Sequence, residues 1–589
     1  MKVIKEKIKT TWNLGLLYSS KKDPQIEKDL KEVETAVESF EKKYKNDQKY
    51  LSDENALFDA LTAYEKLEGM PQGSKPIMYF HYLSDLNGAD QEVTAQLSIL
   101  QQRYAKISNK LLFFSLSFGT LSVEQQNKFL TSKKLAHFSY WLKVLFERAK
   151  YQLSEAEEKI LNLKSLPGHS LWVDGQDRLL NSQTVNFKGK KLPIAEAHMK
   201  VSDLNNADRQ TLHKAMMEVQ KNISAFAESE VNAVVIDKKI DDELRGFQEP
   251  YSATILGYQN DEKAITTFVD TVTRHFPISH RFYALKAKLL KMKMLTYADR
   301  SAKIGKTTSK YDFKKSVDVL SRAFASADPE FETILKRFVA NGQVDVYSKK
   351  GKTGGAYCSS STGLPTYVLL NHVDSVGSVM TFGHEMGHAI NSELSKKQTP
   401  LYENYTISVA EVASTLFENF VFEEIFKTLS EKEKIIALHD RIQDDISTIF
   451  RQIACFNFET ELHRTIRLKG SLSKEEIGAL LNKHMSAYLG PKFKLTELDG
   501  YFFVSWSHLR RFFYVYSYGY GQLISKALYK KYQEDKTYVS EIKKFLSTGG
   551  SKSPEDTFKD IGIDTSKPDF FVSGLKSIEE DIKRLEKLV

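Results

Sequence analysis

Two histidines four residues apart, His384 and His388, can reach one common ion only if the backbone between them is helical. On a helix both imidazoles share a face, one turn apart. Glu385 then sits about 100° round the axis, able to face a metal-bound water without being a ligand itself. Thr381-Phe382-Gly383 lead into this motif and Ala389-Ile390 follow it. Gly383 and Gly387 leave room for a second helix to approach closely.

The remainder of the chain suits a helical setting. Only 13 prolines and 29 glycines occur in 589 residues, which favours long helices over a loop-rich β architecture. Residues 21 to 165 read as charged amphipathic helices, with Val93, Leu97, Leu100, Tyr104 and Ile107 at helical spacing. Leu166-Pro167-Gly168-His169-Ser170 breaks that pattern, and a linker is expected between about 165 and 200. The expected division is an N-terminal helical domain, residues 1–195, and a domain carrying the histidine motif, residues 196–589. Residues 203 to 340 read as helical again. Val344-Asp345-Val346-Tyr347, Ala356 to Ser360 and Thr366 to Leu370 read as short strands around the turn cluster Gly351 to Gly355. The expected fold class is mainly α, with one small β-sheet immediately before the motif.

Composition excludes several classes. The charge, 84 − 76 = +8, is mild for this length and interspersed with acids, which argues against a nucleic-acid partner. The greasy stretch Leu111 to Val123 is too short to span a bilayer. Met1 to Lys7 lacks the apolar core of a signal peptide, and two distant cysteines, Cys358 and Cys455, make no disulfide framework. A cytoplasmic protein with no membrane partner is expected.

A catalytic zinc site needs a third protein ligand and an open position. Glu393, Glu403, Glu411 and Glu418 all follow the motif. Glu393 stands nine residues from His384, past reach. Glu411 opens an apolar helix but also forms a capping-box pattern with Ser408, so spacing leaves ligand and cap open. Glu418, seven residues further along the same face, suits either a surface acid or a group orienting a ligand histidine. Downstream, His508 and the tyrosines Tyr514, Tyr518 and Tyr520 fit either an aromatic core stripe or donors to a developing oxyanion.

The order of these pieces resembles the oligoendopeptidase F branch of the thimet oligopeptidase (M3) family of zinc metallopeptidases. The resemblance runs through Trp12-Asn13-Leu14, Gly354-Gly355-Ala356-Tyr357, Tyr367 to Asn371, His384 to His388, Asn404 to Ile407, Val409 to Ser414, and His508 through the tyrosine-rich segment to Gly521. It implies one zinc per chain held by His384, His388 and Glu411, with Glu385 as general base. It also implies oxyanion donation by His508 and one of Tyr514, Tyr518 and Tyr520. The branch commonly carries threonine where Tyr520 stands, so the choice among the three stays open. The implied activity is endoproteolysis of short unstructured peptides in a deep channel enclosed by a mostly helical, two-lobed shell. Two competing readings keep the motif: a peptide binder that does not cleave, and a zinc hydrolase of non-peptide substrates.

Other features read as structural. Gly305-Lys306-Thr307 and Gly351-Lys352-Thr353 lack the first glycine of a phosphate loop. Glu459 and His463 read as a side-chain pair on a helix, and Cys358 as a small buried hydrophobe.

Overall fold

Amphipathic periodicity becomes helix along nearly the whole chain in the computed structural model, which describes residues 8–589. The stretch Met1 to Lys7, read above for a signal peptide, lies outside the described residues. The helix Gln91–Ser117 shows the rule at work. Asp90 caps it by accepting from the Val93 N–H at 3.2 Å, and Val93, Leu100, Ile107 and Phe114 are buried at helical spacing. Phe114 meets Phe40, Tyr50 and Phe118 at ring distances of 5.1 to 5.3 Å, the centre of an aromatic core cluster. Among the described residues no helix is long and apolar enough to cross a membrane.

The chain divides into two compact units, each assembled from three separate stretches. The first comprises Met1–Lys150, Thr308–Thr428 and Lys531–Ile563; the second comprises Tyr151–Thr307, Leu429–Lys530 and Asp564–Val589. Residue 195, the expected boundary, falls inside the second unit. The expected linker is instead a π-helical turn Leu166–Ser170, a helix Leu171–Asn181 and a hairpin of β1 (Thr184–Phe187) and β2 (Lys190–Pro193). Pro167 lies in the first turn of its segment, where a missing N–H leaves no helical bond broken. Lys188 and Gly189 both adopt positive φ, 50° and 78°, which suits a two-residue hairpin turn. Val185 faces Leu192 across the pair, and Val185 packs with Leu212 and Met216. The chain thus has a second small sheet where one was expected.

The anticipated sheet belongs to the first unit. It consists of β3 (Val344–Tyr347), β4 (Tyr357–Ser359) and β5 (Tyr367–His372), in the order β3-β5-β4. The central strand β5 runs parallel to β3 and antiparallel to β4. Its run Tyr367-Val368-Leu369-Leu370 is buried throughout, as a strand covered on both faces requires. Trp12 ties the N-terminal segment to this sheet. Its indole N–H donates to the Val368 carbonyl at 2.8 Å, its backbone N–H to Asp345 at 3.1 Å, and its ring packs edge-on against Tyr82 and Tyr367. Lys352 is withdrawn from solvent and holds the glycine turn by pairing with Asp345 at 2.8 Å.

Two helices follow β5. Helix α1 (Val376–Ser395) starts on Ser375, whose hydroxyl accepts from the Ser378 N–H, and it contains the histidine motif. Helix α2 (Ile407–Phe426) packs against it. The close approach expected at the two glycines is present. A Cβ on Gly387 would lie 2.7 Å from the Ser414 Cα and 3.0 Å from the Ala413 carbonyl; on Gly383 it would lie 2.9 Å from Val421.

Candidate active site

The contact between α1 and α2 brings His384, His388 and Glu411 together. One ligand atom from each lies within 4.8 Å of the others, and no second group of this kind occurs among the described residues. The two imidazole rings stand 4.9 Å apart at 84°, so their nitrogens converge rather than stack. His384 Nε2 is 3.8 Å from Glu411 Oε2. Its other nitrogen, Nδ1, is hydrogen-bonded to Glu418, about two helical turns further along α2 than Glu411. This is how a carboxylate behind a ligand histidine sets its tautomer and aims Nε2 forward.

The alternatives weighed from spacing fall to other partners. Thr406 occupies the N-cap position of α2, without a side-chain capping bond, and Ser408 lies buried inside the first turn, so Ser408 and Glu411 are not placed as a capping box. Glu411 is left to face the histidines, with the Ser414 hydroxyl donating to it at 3.2 Å. Glu393 accepts from Thr366 at 2.8 Å and Lys396 at 2.5 Å and pairs with Arg337. Glu403, in the short helix Pro400–Glu403, is outside the cluster.

Electrostatics at this point favour a cation. Burial pushes Glu385 up to about 7, reinforced by Glu411 and Glu418 and opposed by His384 and the Cys358 N–H on β4. Burial resists charging His384, but Glu418, Glu385 and Glu411 overcome it and lift its pKa to about 9. Burial, then the His384 charge, drives His388 down to about 3. Three carboxylates therefore crowd two imidazoles. Two nitrogens and one carboxylate oxygen match the kind of donor set that catalytic metal sites use. A cation held here would require His384 to be neutral, so its binding would release the proton that the surrounding carboxylates favour.

The second unit holds the other candidates. His508 lies on the turn Ser507–Arg511, its Nε2 3.4 Å from the Tyr518 hydroxyl. Its ring is 5.8 Å from both Tyr514 and Tyr518, which contact each other edge-on at 5.1 Å. Tyr514 and Tyr518 are half-buried. Tyr520 is fully buried and packs against Phe268 and Phe571. The structure thus gathers His508, Tyr514 and Tyr518 and sends Tyr520 into the core.

Sequence reading missed what holds this segment. Arg510 is buried, bonds Glu230 through two nitrogens at 2.8 and 2.6 Å, and donates to the Phe503 and Trp506 carbonyls. Phe512 and Phe513 both take positive φ, 42° and 57°, an unusual conformation for bulky residues. Glu459 accepts the Phe513 N–H at 2.7 Å, and the Thr254 hydroxyl donates to the Phe512 carbonyl at 2.9 Å. Glu459 therefore serves the turn and does not pair with His463, whose ring nitrogens have no hydrogen-bond partner and whose ring packs on Phe513 at 5.0 Å. No local pattern announces these bonds, since their partners lie 54 and 258 residues apart in the chain.

A helical chain that joins two histidines and a glutamate at one point, with a shielded glutamate beside them, has the makings of a hydrolytic metal centre. Comparison with known proteins narrows this class. The model of peptidase family M3 matches residues 203–577, and that of the oligopeptidase F N-terminal region matches residues 118–181. The oligopeptidase PepF of Bacillus subtilis is 25% identical over 601 residues, spanning 99% of this chain and 88% of that protein. A crystal structure from Chlamydophila abortus superposes with a TM-score of 0.86 at 22% identity, covering 98% of each chain. The oligoendopeptidase F of Enterococcus faecium superposes at 0.70 with 18% identity, covering 96% of this chain and 98% of its own. The chain belongs to peptidase family M3, in its oligoendopeptidase F branch, and is a metalloendopeptidase.

Proposed function

We propose that this protein is a zinc-dependent endopeptidase that hydrolyses internal bonds of short, unstructured oligopeptides. His384, His388 and Glu411 hold one zinc, and Glu385 is the general base. The observation that carries this reading is the convergence of those three ligand atoms within 4.8 Å beside the buried Glu385. Zinc supplies Lewis acidity toward the scissile carbonyl and acidifies water at neutral pH.

Glu385 removes a proton from the attacking water as the new C–O bond forms. It then delivers that proton to the amide nitrogen as the C–N bond breaks, leaving a free carboxylate and a free amine. Glu418 keeps His384 in the ligating tautomer. His508 and one of Tyr514 and Tyr518 donate to the oxyanion. Their clustering supports the pair over Tyr520, whose ring belongs to a core. The edge strand β4 offers backbone groups for pairing with an extended peptide, a mode that tolerates many side chains. A cleft lined by Gly355, Ala356, Asn371, Ser378 and Thr381 adjoins it. A reducing, cytoplasmic setting suits the two free cysteines.

The test pairs metal analysis with turnover of a quenched peptide. Wild type should carry one zinc and lose activity to a chelator. Glu411→Gln should lose metal. Glu385→Gln should keep metal while kcat falls by about 10²–10⁴. Full turnover by Glu385→Gln rejects the general-base assignment, and full zinc in Glu411→Gln rejects the ligand assignment.

A further inference from the structure

Strand β4 is gripped along its length by the helix Lys75–Leu86, which lies in the same compact unit. Asp85 sits in the last turn of that helix. Its carboxylate accepts the Tyr357 hydroxyl at 2.5 Å and the Thr353 hydroxyl at 2.8 Å, and its carbonyl accepts the Thr353 N–H at 2.8 Å. One turn earlier, the Tyr82 hydroxyl donates to that of Ser359 at 2.9 Å, and at the N-cap Ser74 meets Ser361 at 2.7 Å. Tyr357 and Ser359 alternate with Cys358, so both side chains leave the face of β4 that meets the helix. Burial, and then Asp85, hold the Tyr357 phenol well above the usual phenol range, so it remains a donor.

β4 needs such support. It has three residues and a neighbouring strand on one side only. The loop before it contains Gly354 and Gly355, the latter at a φ of 78°, and glycines lend a loop no stiffness. From the other side Asn371 closes this loop, its amide donating to the Thr353 and Gly355 carbonyls at 2.9 and 2.7 Å.

The remaining face and the free edge of β4 lead to the hydrolytic centre. The strand packs on α1. Cys358 stands opposite Val368 in the antiparallel pair. The Val368 N–H donates to the Gln343 carbonyl at 2.8 Å, and its carbonyl accepts the Trp12 indole, so Val368 turns both groups away from β4. Opposed residues in such a ladder exchange both bonds or neither. Cys358 therefore directs its N–H and carbonyl to the open edge, where the Glu385 carboxylate accepts the N–H. One short strand thus touches the proposed general base, while a helix remote in sequence fixes it. Asp85 lies outside both spans that match the family models.

We infer that Asp85 is a positioning residue for peptide hydrolysis: through Tyr357 and Thr353 it fixes β4, and so sets the Cys358 N–H against Glu385 and the strand edge against the peptide backbone. This inference rests on the oligopeptidase reading above.

The test uses full-length, zinc-loaded wild type, Asp85→Ala, Asp85→Asn, Tyr357→Phe and Thr353→Val. Two inhibitors are compared, acetohydroxamate and a hydroxamate carried on a short peptide, alongside kcat/KM for a quenched peptide. Acetohydroxamate reads the metal alone; the peptidyl compound also reads the strand edge. Asp85→Ala should keep its zinc and its acetohydroxamate affinity, because Asp85 is not among the proposed ligands. It should weaken the peptidyl compound by roughly ten-fold, the worth of one hydrogen bond. Its kcat/KM should fall by roughly ten- to a hundred-fold, as when reacting groups shift by up to about 1 Å. Asp85→Asn should restore most of both, since the amide can accept one hydroxyl and donate to the other. Adding Tyr357→Phe to Asp85→Ala should cost little more than Asp85→Ala alone, because the two changes break one link.

Wild-type kcat/KM in Asp85→Ala overturns the inference. Loss of zinc, or equal weakening of both inhibitors, also overturns it, because either marks a general disturbance of the unit. So does an Asp85→Asn variant as impaired as Asp85→Ala. If Asp85→Ala does not fold, Tyr357→Phe and Thr353→Val decide: selective weakening of the peptidyl compound upholds the inference, and unchanged affinity in both rejects it. Wild type that cleaves no peptide defeats the oligopeptidase reading and this inference together, whereas an active wild type beside a fully active Asp85→Ala defeats the inference alone.

Discussion

Glu418 carries none of the motif's chemistry by itself, yet it decides how His384 presents its nitrogens. Its contact with Nδ1 makes Nε2 the face toward Glu411. Glu418→Gln keeps a hydrogen-bond acceptor but removes the charge. It should lower metal affinity or activity about 10- to 100-fold, measured by zinc titration against a competing chelator. An unchanged affinity and kcat would return Glu418 to a surface role. At the same scale, Tyr→Phe changes separate donors from packing rings. His508→Ala and one of Tyr514→Phe and Tyr518→Phe should lower kcat by about 10²–10³ with little change in KM. Tyr520→Phe should leave kcat near wild type, because its ring packs on Phe268 and Phe571. If every one of these variants retains full kcat, the segment contributes packing alone.

Between elements, the decisive contact is that of α1 with α2. The proposed ligand set is split between them, two histidines on one and Glu411 on the other, so helix spacing would govern how well the three converge on a metal. Gly387→Ala would put a methyl 2.7 Å from backbone of α2, which must move because no flexible side chain can yield. Overpacking of this kind costs about 1–3 kcal/mol. The variant should therefore melt earlier and bind zinc more weakly. Gly257→Ala, where an added methyl meets nothing within 4 Å, serves as the control and should do neither. Normal zinc affinity in Gly387→Ala would show that the helices absorb the methyl without shifting Glu411. In the second unit, the strained turn Phe512–Phe513 depends on Glu459, Thr254 and the Arg510–Glu230 pair. Removing Glu230 leaves a buried charge unpaired, and such losses typically cost about 3–5 kcal/mol. Chemical denaturation of Glu230→Gln should show a loss of that order.

Over the whole molecule, each compact unit collects three stretches of chain, so neither is a contiguous sequence domain. The expected boundary near residue 195 follows chain order, whereas the units follow which helices bury one another. The oligopeptidase reading expects selection by substrate size. Short unfolded peptides should be cut, and a stably folded protein containing the same sequence should survive long incubation, followed by mass spectrometry of the digests. Rapid internal cleavage of the folded protein would reject size selection.

What the sequence determined by itself was local and periodic. Helices are written in apolar spacing, β5 in an unbroken apolar run, and the histidine pair in its four-residue interval, because each depends on backbone geometry over one or two turns. The hairpin at 184–193 escaped, since positive φ at a lysine such as Lys188 has no compositional signature. Glu411 could not be chosen over a helix cap from spacing alone. What favours it is tertiary: α1 and α2 in contact, Thr406 and not Ser408 at the N-cap position, and Glu393 engaged with Thr366 and Lys396. The separation of Tyr520 from Tyr514 and Tyr518 and the support of the Phe512–Phe513 turn were likewise decided in three dimensions. Each depends on side chains from distant stretches meeting across packed helices, and no short-range pattern encodes such meetings.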